Sequence, residues 1–232
     1  MDSANYYATL YKQSPWLHMP SADWGALIKD SSPVYYKKGT VIYYQNHPTM
    51  YIYIVDKGRV NLSILSKEGD EKCLYIATGG CMFGEIVFVE NYPNCAQATA
   101  MSDCYLYRIK GEDFMSSLSD TATMLSVLRM LSTKVRLLTG QLELLSFYDT
   151  VYRICELLDY LAAQYGVETG EGTLIGMRFT HQELANLAGA TRVTITNSLN
   201  ELEKAGIVLK DKGKYLIPDR ERMMDYARTR AK

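Results

Sequence analysis

The sequence predicts an α+β chain: a β-roll first, then one long helix, then a winged helix-turn-helix. Three observations predict it. Between residues 34 and 110, short runs of β-branched and aromatic residues alternate with glycine turns. From Asp113 onward the pattern becomes helical, and from Met124 to Leu145 apolar residues recur at heptad spacing. From Phe179 to Gly206, two short amphipathic helical patterns meet at Gly189. A chain of 232 residues suits two small domains or one large one. The pattern changes divide it into 1–112, 113–147 and 148–232.

The candidate strands are Thr40–Tyr44, Tyr51–Asp56, Arg59–Leu65, Glu71–Ala77, Cys95–Met101 and Cys104–Ile109. Turn signals separate them at Lys38-Gly39, Lys57-Gly58, Glu68-Gly69-Asp70 and Gly79-Gly80. Regular short strands with such turns form a small antiparallel barrel or roll.

The long helix carries Met124, Leu128, Leu131, Val135, Leu138, Leu142 and Leu145 at alternating steps of 4 and 3. That 3.5-residue period fits a coiled-coil seam better than a globular helix face. A seam needs a partner helix, and the economical partner is the same helix of a second chain about a two-fold axis. The alternative is packing against the chain's own roll. Asp149 breaks the helix and is placed to cap the next one, which carries Val151, Ile154, Cys155, Leu158 and Leu161 and ends near Gly166.

In the helix-turn-helix, Thr180 and Glu183 form a capping box. Leu184, Leu187 and Ala188 give the first helix its apolar face. Gly189 supplies a turn that needs positive φ. Thr191 caps the second helix, whose core stripe is Ile195, Leu199 and Leu202 and whose outward residues include Arg192, Val193, Thr194, Thr196, Asn197 and Asn200. Such a unit lays its second helix in the DNA major groove; the plainer alternative is an αα-hairpin in a helical core. Ile207–Leu209 and Tyr215–Ile217 flank the turn Lys212-Gly213-Lys214 and read as a wing. Pro218 ends it, and a short helix follows.

Composition narrows the function classes. The 47% hydrophobic content supports proper cores. No apolar run is long enough for a membrane span, and Met1–Leu10 is polar, so neither a membrane nor a secretory signal is expected. Five cysteines without CxxC spacing, Cys73, Cys81, Cys95, Cys104 and Cys155, point to free thiols in a reducing cytoplasm. The net charge is −1, and residues 149–232 hold 12 Lys+Arg against 12 Asp+Glu. DNA contact must therefore come from local clusters: Arg178, Arg192, Lys204, Lys210, Lys212 and Lys214. No Ser–His–Asp arrangement, metal-ligand cluster or phosphate loop is visible, which argues against an enzyme and against a bound metal.

In this order the chain resembles the cyclic AMP receptor protein/FNR superfamily of bacterial transcription regulators, from about residue 20 to 220. The specific parts are Phe83-Gly84-Glu85, the spacing from there to the heptad helix, Asp149 with Arg153, and the Thr180-to-Gly206 unit. The resemblance implies a cyclic-nucleotide-binding-like roll, a dimerisation helix contacting its mate through Leu128, Leu131, Val135, Leu138, Leu142 and Leu145, and RNA polymerase as a partner. It implies allostery: a small effector, bound between roll and helix, shifts the balance toward the state that holds both recognition helices one DNA turn apart.

In cyclic-nucleotide members an Arg beyond the Gly-Glu pair neutralises the phosphate. Here that stretch is Asn94-Cys95-Ala96-Gln97, and no Arg lies between Arg59 and Arg108. A buried phosphate without its cation is badly unsatisfied, which argues against cyclic AMP. The first cysteine is Cys73, too late for the N-terminal iron–sulfur cluster of the oxygen-sensing branch, and His18, His47 and His181 offer little to a haem. The wording is closest to the branch that senses halogenated phenols in organohalide-respiring anaerobes: Glu71-Lys72-Cys73-Leu74-Tyr75, Gln97-Ala98-Thr99-Ala100-Met101 and Thr133-Lys134-Val135. That likeness implies pocket roles for Tyr75 and Lys134, with Gly84, Glu85, Ile86, Cys95, Gln97 and Leu138 around them, and no cofactor beyond a small aromatic or organic acid. Glu85 departs from the branch, which has a Lys there. The alternatives are a core tyrosine at 75 and a solvated lysine at 134.

The resemblance places Arg192, Val193, Thr196 and Asn197 at base-reading positions, with Thr180, Gln182 and Thr194 beside them and Gln182 on a phosphate. Valine suits a thymine methyl and asparagine an adenine edge, so an AT-rich inverted repeat is expected. A regulator driven by oxidation of Cys95 or Cys104 is the other reading of the same fold, with buried structural thiols as the plainer alternative.

Overall fold

The computed structural model describes residues 15–17, 19, 23–29, 31–211 and 213–229. Met1–Leu10, His18 and Lys212 lie outside the described residues. The chain forms two compact units, and the division between them falls inside the long helix, after Leu138.

The first unit runs, in chain order, through β1 (Trp16–Leu17), α1 (Gly25–Ile28), β2 (Val34–Tyr36), β3 (Val41–Tyr43), β4 (Tyr51–Lys57), β5 (Val60–Leu65), β6 (Glu71–Ala77), β7 (Met82–Phe83), α2 (Ile86–Val89), β8 (Gln97–Ala100), β9 (Cys104–Lys110), α3 (Gly111–Ser117) and into α4 (Thr121–Phe147). One sheet has the order β1-β6-β5-β8-β3 and the other β2-β9-β4-β7. All six expected strands are present, with ends moved by about two residues at most. β9 shows why they were readable: Cys104, Leu106 and Ile109 are buried while Tyr105, Arg108 and Lys110 are exposed. β1 and β7, two residues each, are too short to carry a period, and β2, Val34–Tyr36, was not among the expected strands. β1 also pairs parallel with β6, a contact distant in sequence.

The core between the sheets holds Ile52, Ile54, Val60, Leu62, Met82, Phe83, Leu106 and Phe114, and Val127, Met130 and Leu137 of α4 join it. The helix therefore has two apolar faces. The inner one is interrupted by Thr133 and Lys134, both buried, so the sequence masks it. The heptad stripe is the outer face: Leu128 is 50% exposed, Val135 65% and Leu142 64%. Met124, Leu138 and Leu145 are exposed as well. Leu131 differs, being half-buried against the roll core.

The second unit continues with α5 (Thr150–Tyr165), β10 (Gly166–Thr169), β11 (Gly172–Ile175), α6 (His181–Ala188), α7 (Arg192–Lys204), β12 (Leu209–Asp211), β13 (Lys214–Ile217) and α8 (Arg220–Arg228). Asp149 caps α5, its Oδ1 accepting from the Tyr152 amide at 2.8 Å. The wing is part of a sheet of order β10-β11-β13-β12. Two details differ from the sequence reading. The β10–β11 hairpin was not expected, since β10 is exposed throughout and shows no alternation. The first wing strand begins at Leu209 rather than Ile207, because the Ile207 amide donates to the Leu202 carbonyl and closes the end of α7.

Glu156 is buried on α5. Burial pushes its carboxyl up to about 7; the Tyr152 hydroxyl opposes that, Asp159 adds to it and Arg228 opposes it. A raised folded pKa means stability that is full below the ordinary value near 4.5 and lost as pH rises through about 7. Glu156→Gln is expected to raise stability at pH 8 by on the order of 1–3 kcal/mol and to flatten the profile between pH 5 and 8. Thermal melts at the two pH values check this; equal slopes for both proteins would remove Glu156 as the source.

Candidate functional site

In the second unit, local capping sets the recognition helix. The Thr180 amide donates to Glu183 Oε2 at 2.8 Å and the Glu183 amide to Thr180 Oγ1 at 3.1 Å, so both halves of the capping box are made. Gly189 is left-handed, φ 64° and ψ 51°, a conformation that glycine adopts without Cβ strain. Thr191 Oγ1 accepts from the Thr194 amide at 3.1 Å and starts α7. Ile195, Ser198, Leu199 and Leu202 are buried.

That leaves Arg192, Val193, Thr194, Asn197 and Asn200 exposed, with Val193 at 69%. Thr180 and Gln182 are exposed too, and Gln182 Nε2 donates to Asn186 Oδ1 at 2.8 Å. Thr196 is half-buried: its hydroxyl donates to the Arg192 carbonyl at 2.9 Å and lies 2.8 Å from His181 Nδ1. His181, which offers little to a haem, instead contacts α7, and no sequence signal marks that contact. Burial and the neighbouring Lys210 and Arg192 hold its imidazole below its ordinary pKa. Arg153 ties α5 to the turn, donating to the Gly189 carbonyl at 3.3 Å and to Thr150 Oγ1 at 3.2 Å. The tight turn and the first turn of α7 are thus held from below, and the polar face is presented outward.

In the first unit, Tyr75, Glu85 and Lys134 come together inside the roll. Lys134 Nζ lies 2.8 Å from Glu85 Oε1, with side-chain exposures of 8% and 5%. The same nitrogen is 5.6 Å from the centroid of the Tyr75 ring. Lys134 is therefore not a solvated helix residue. Tyr75 is buried in the core, as the plainer alternative for it expects. Burial pushes its phenol well above the ordinary value, as it does that of Tyr43, and Glu85 adds to both. Tyr43 escaped the sequence reading because nothing in β3 marks one tyrosine over the next.

Gly84 has φ +88°, and a Cβ there would come within 3.3 Å of the Tyr51 carbonyl oxygen, so a glycine delivers Glu85 to the interior. Ile86 and Gln97 are half-buried, and Gln97 Nε2 donates to Thr99 Oγ1 at 3.2 Å. Cys95 is exposed, and Leu138 lies with the exposed seam residues. Cys104 is buried, and its thiol is pushed up to about 11 by burial first and then by Asp103. That suppresses the thiolate a redox switch needs.

A buried polar cluster inside a β-roll, followed by a long helix and a winged helix-turn-helix, is the architecture of an effector-binding transcription regulator. Residues 33–121 match the cyclic nucleotide-binding domain family and residues 152–226 the Crp-like helix-turn-helix domain family. The CRP-like cAMP-activated global transcriptional regulator of Mycobacterium tuberculosis is 27% identical over 204 residues, 88% of this chain and 91% of that protein. The cyclic AMP receptor protein of Thermus thermophilus is 30% identical over 174 residues, 75% and 77% of the two chains. The structure of CprK complexed with OCPA superposes with a TM-score of 0.69 at 20% identity, over 92% of this chain and 97% of that one, which shows the shared fold. The chain belongs to the cyclic AMP receptor protein/FNR family of transcription regulators. Its relatives are regulators rather than enzymes. Among the described residues no helix is long and apolar enough to cross a membrane.

Proposed function

We propose that the protein is a cytoplasmic homodimer that binds an AT-rich inverted repeat and acts on RNA polymerase under the control of a small aromatic or organic acid. The observation that carries the DNA reading is the outward face of α7, where Arg192, Val193, Thr194 and Asn197 are exposed on a helix capped at its start. Thr180 and Gln182 flank it, and Thr196 positions the helix through His181 more than it reads bases. α4 serves as the dimerisation element, in keeping with its exposed heptad stripe; the expected span 113–147 also takes in part of α3, a separate helix that ends at Ser117. Two recognition helices related by a two-fold axis read half-sites about one helical turn apart.

The effector is assigned to the roll, around Tyr75, Glu85 and Lys134. The cation available there is already paired with Glu85, which disfavours the cyclic phosphate of cyclic AMP. Calorimetric binding of cyclic AMP with a matching gain in operator affinity would overturn that exclusion.

In vitro selection tests the DNA reading. The wild type is expected to enrich an AT-rich inverted repeat, with Val193 against a thymine methyl. Val193→Glu is expected to raise preference for a C·G pair at one half-site position, at the lower end of roughly 1–3 kcal/mol. A GC-rich consensus, or the same consensus from both proteins, would take Val193 off the base-reading surface.

A further inference from the structure

We infer that the ligand of the Glu85–Lys134 site is a small zwitterion, an amino-carboxylic acid whose ammonium meets Glu85 and whose carboxylate meets Lys134. The inference rests on the reading that the roll takes a small organic acid, and it adds that this acid brings its own cation. The first reason is charge. Glu85 and Lys134 are buried and balance each other at 2.8 Å. A plain carboxylate or phenolate would leave the site with a surplus negative charge, and a plain amine with a surplus positive one; either is costly away from water. Tyr43 and Tyr75 cannot offset it, since their phenols stay neutral at physiological pH. A zwitterion leaves the balance at zero and extends the pair into an alternating ring of charges.

The second reason is an acceptor with nothing to accept. Glu85 Oε2 is buried and takes no hydrogen bond from the described residues, while Oε1 takes the one from Lys134. A carboxylate oxygen in that position calls for a donor. The lysine ammonium has three N–H groups; one is spent on Glu85 Oε1, leaving capacity for a ligand acceptor. Donor and acceptor needs thus stand side by side, which matches the ammonium and carboxylate of one small molecule. The Tyr75 ring lies beside this pair, under the ammonium, and borders the site.

The test uses the full chain and the twenty common L-amino acids, screened by thermal shift and measured by calorimetry. For each amino acid that binds, the deaminated acid and the decarboxylated amine are titrated alongside; for L-phenylalanine these are 3-phenylpropionate and phenethylamine. At least one amino acid is expected to bind saturably, with each counterpart at least tenfold weaker. Glu85→Gln is expected to abolish the preference for the amino acid over its deaminated acid. The exchange Glu85→Lys with Lys134→Glu keeps the charges balanced, and should fold and keep the preference over both counterparts. A deaminated acid that binds as tightly as its parent overturns the inference, as does a folded Glu85→Gln protein with unchanged discrimination, or no amino acid binding at all. Operator gel shifts separate the two readings. Binding of 3-phenylpropionate as tight as that of L-phenylalanine, with a gain in operator affinity, overturns the zwitterion and keeps effector control. Discriminating amino-acid binding that leaves operator affinity unchanged keeps the zwitterion and overturns effector control.

Discussion

Val135→Glu is expected to yield monomers and to weaken operator binding by roughly 10²–10⁴-fold, the gain that two linked binding sites ordinarily have over one. Val135 belongs to the heptad stripe of α4 and is 65% exposed within the chain. The substitution therefore leaves the fold of the single chain intact and acts only where a second helix covers the stripe, because a carboxylate buried in an apolar seam is strongly unfavourable. Leu142→Glu is expected to do the same, for the same reason. Leu131→Glu makes the contrast: Leu131 packs against the roll core, so that change should also lower the melting temperature. Sedimentation gives the oligomeric state and gel shifts the affinity. A monomeric wild type at concentrations on the order of tens of micromolar, or a dimeric Val135→Glu protein, would show that the stripe is not the dimer seam.

Lys134→Met should destabilise the protein by about 3–5 kcal/mol, since it strands the buried Glu85 carboxylate without its cation. The pair itself contributes far less than that. Removing both charges with Glu85→Gln and Lys134→Met leaves two groups that tolerate burial, and most of the lost stability should return. Urea unfolding of the single and double variants forms the cycle. A single variant as stable as the wild type would mean that Glu85 reaches water, and the argument for a desolvated pair would fail.

Much of the architecture was legible in the sequence, for local reasons. Thr180, Glu183, Gly189 and Thr191 mark the helix-turn-helix because caps and left-handed turns depend on residues within a few positions of one another. Asp149 likewise announced α5. Six of the roll strands were readable from β-branched and aromatic runs between glycine turns. What escaped was non-local. The strand Trp16–Leu17 exists only through its pairing with Ile76 and Ala77, and two residues carry no period of their own. The exposed β10 strand is held by its neighbour β11 and shows no apolar face to detect.

The candidate site divides along the same line. The sequence by itself determined the order of the modules, the outward chemistry of α7 and the heptad stripe of α4, since each depends on spacing along one element. It also named Tyr75, Glu85 and Lys134, but only by likeness to a family, and it left Lys134 open to being a solvated residue. The tertiary structure alone decided that Lys134 is buried and paired with Glu85, 49 positions away in the chain. It alone decided that α4 packs on the roll through Val127, Met130 and Leu137, leaving the heptad stripe outside. The physical reason is that whether a charge is solvated or paired, and which of two apolar helix faces is covered, depends on what other elements lie against it, and spacing within one helix does not encode that.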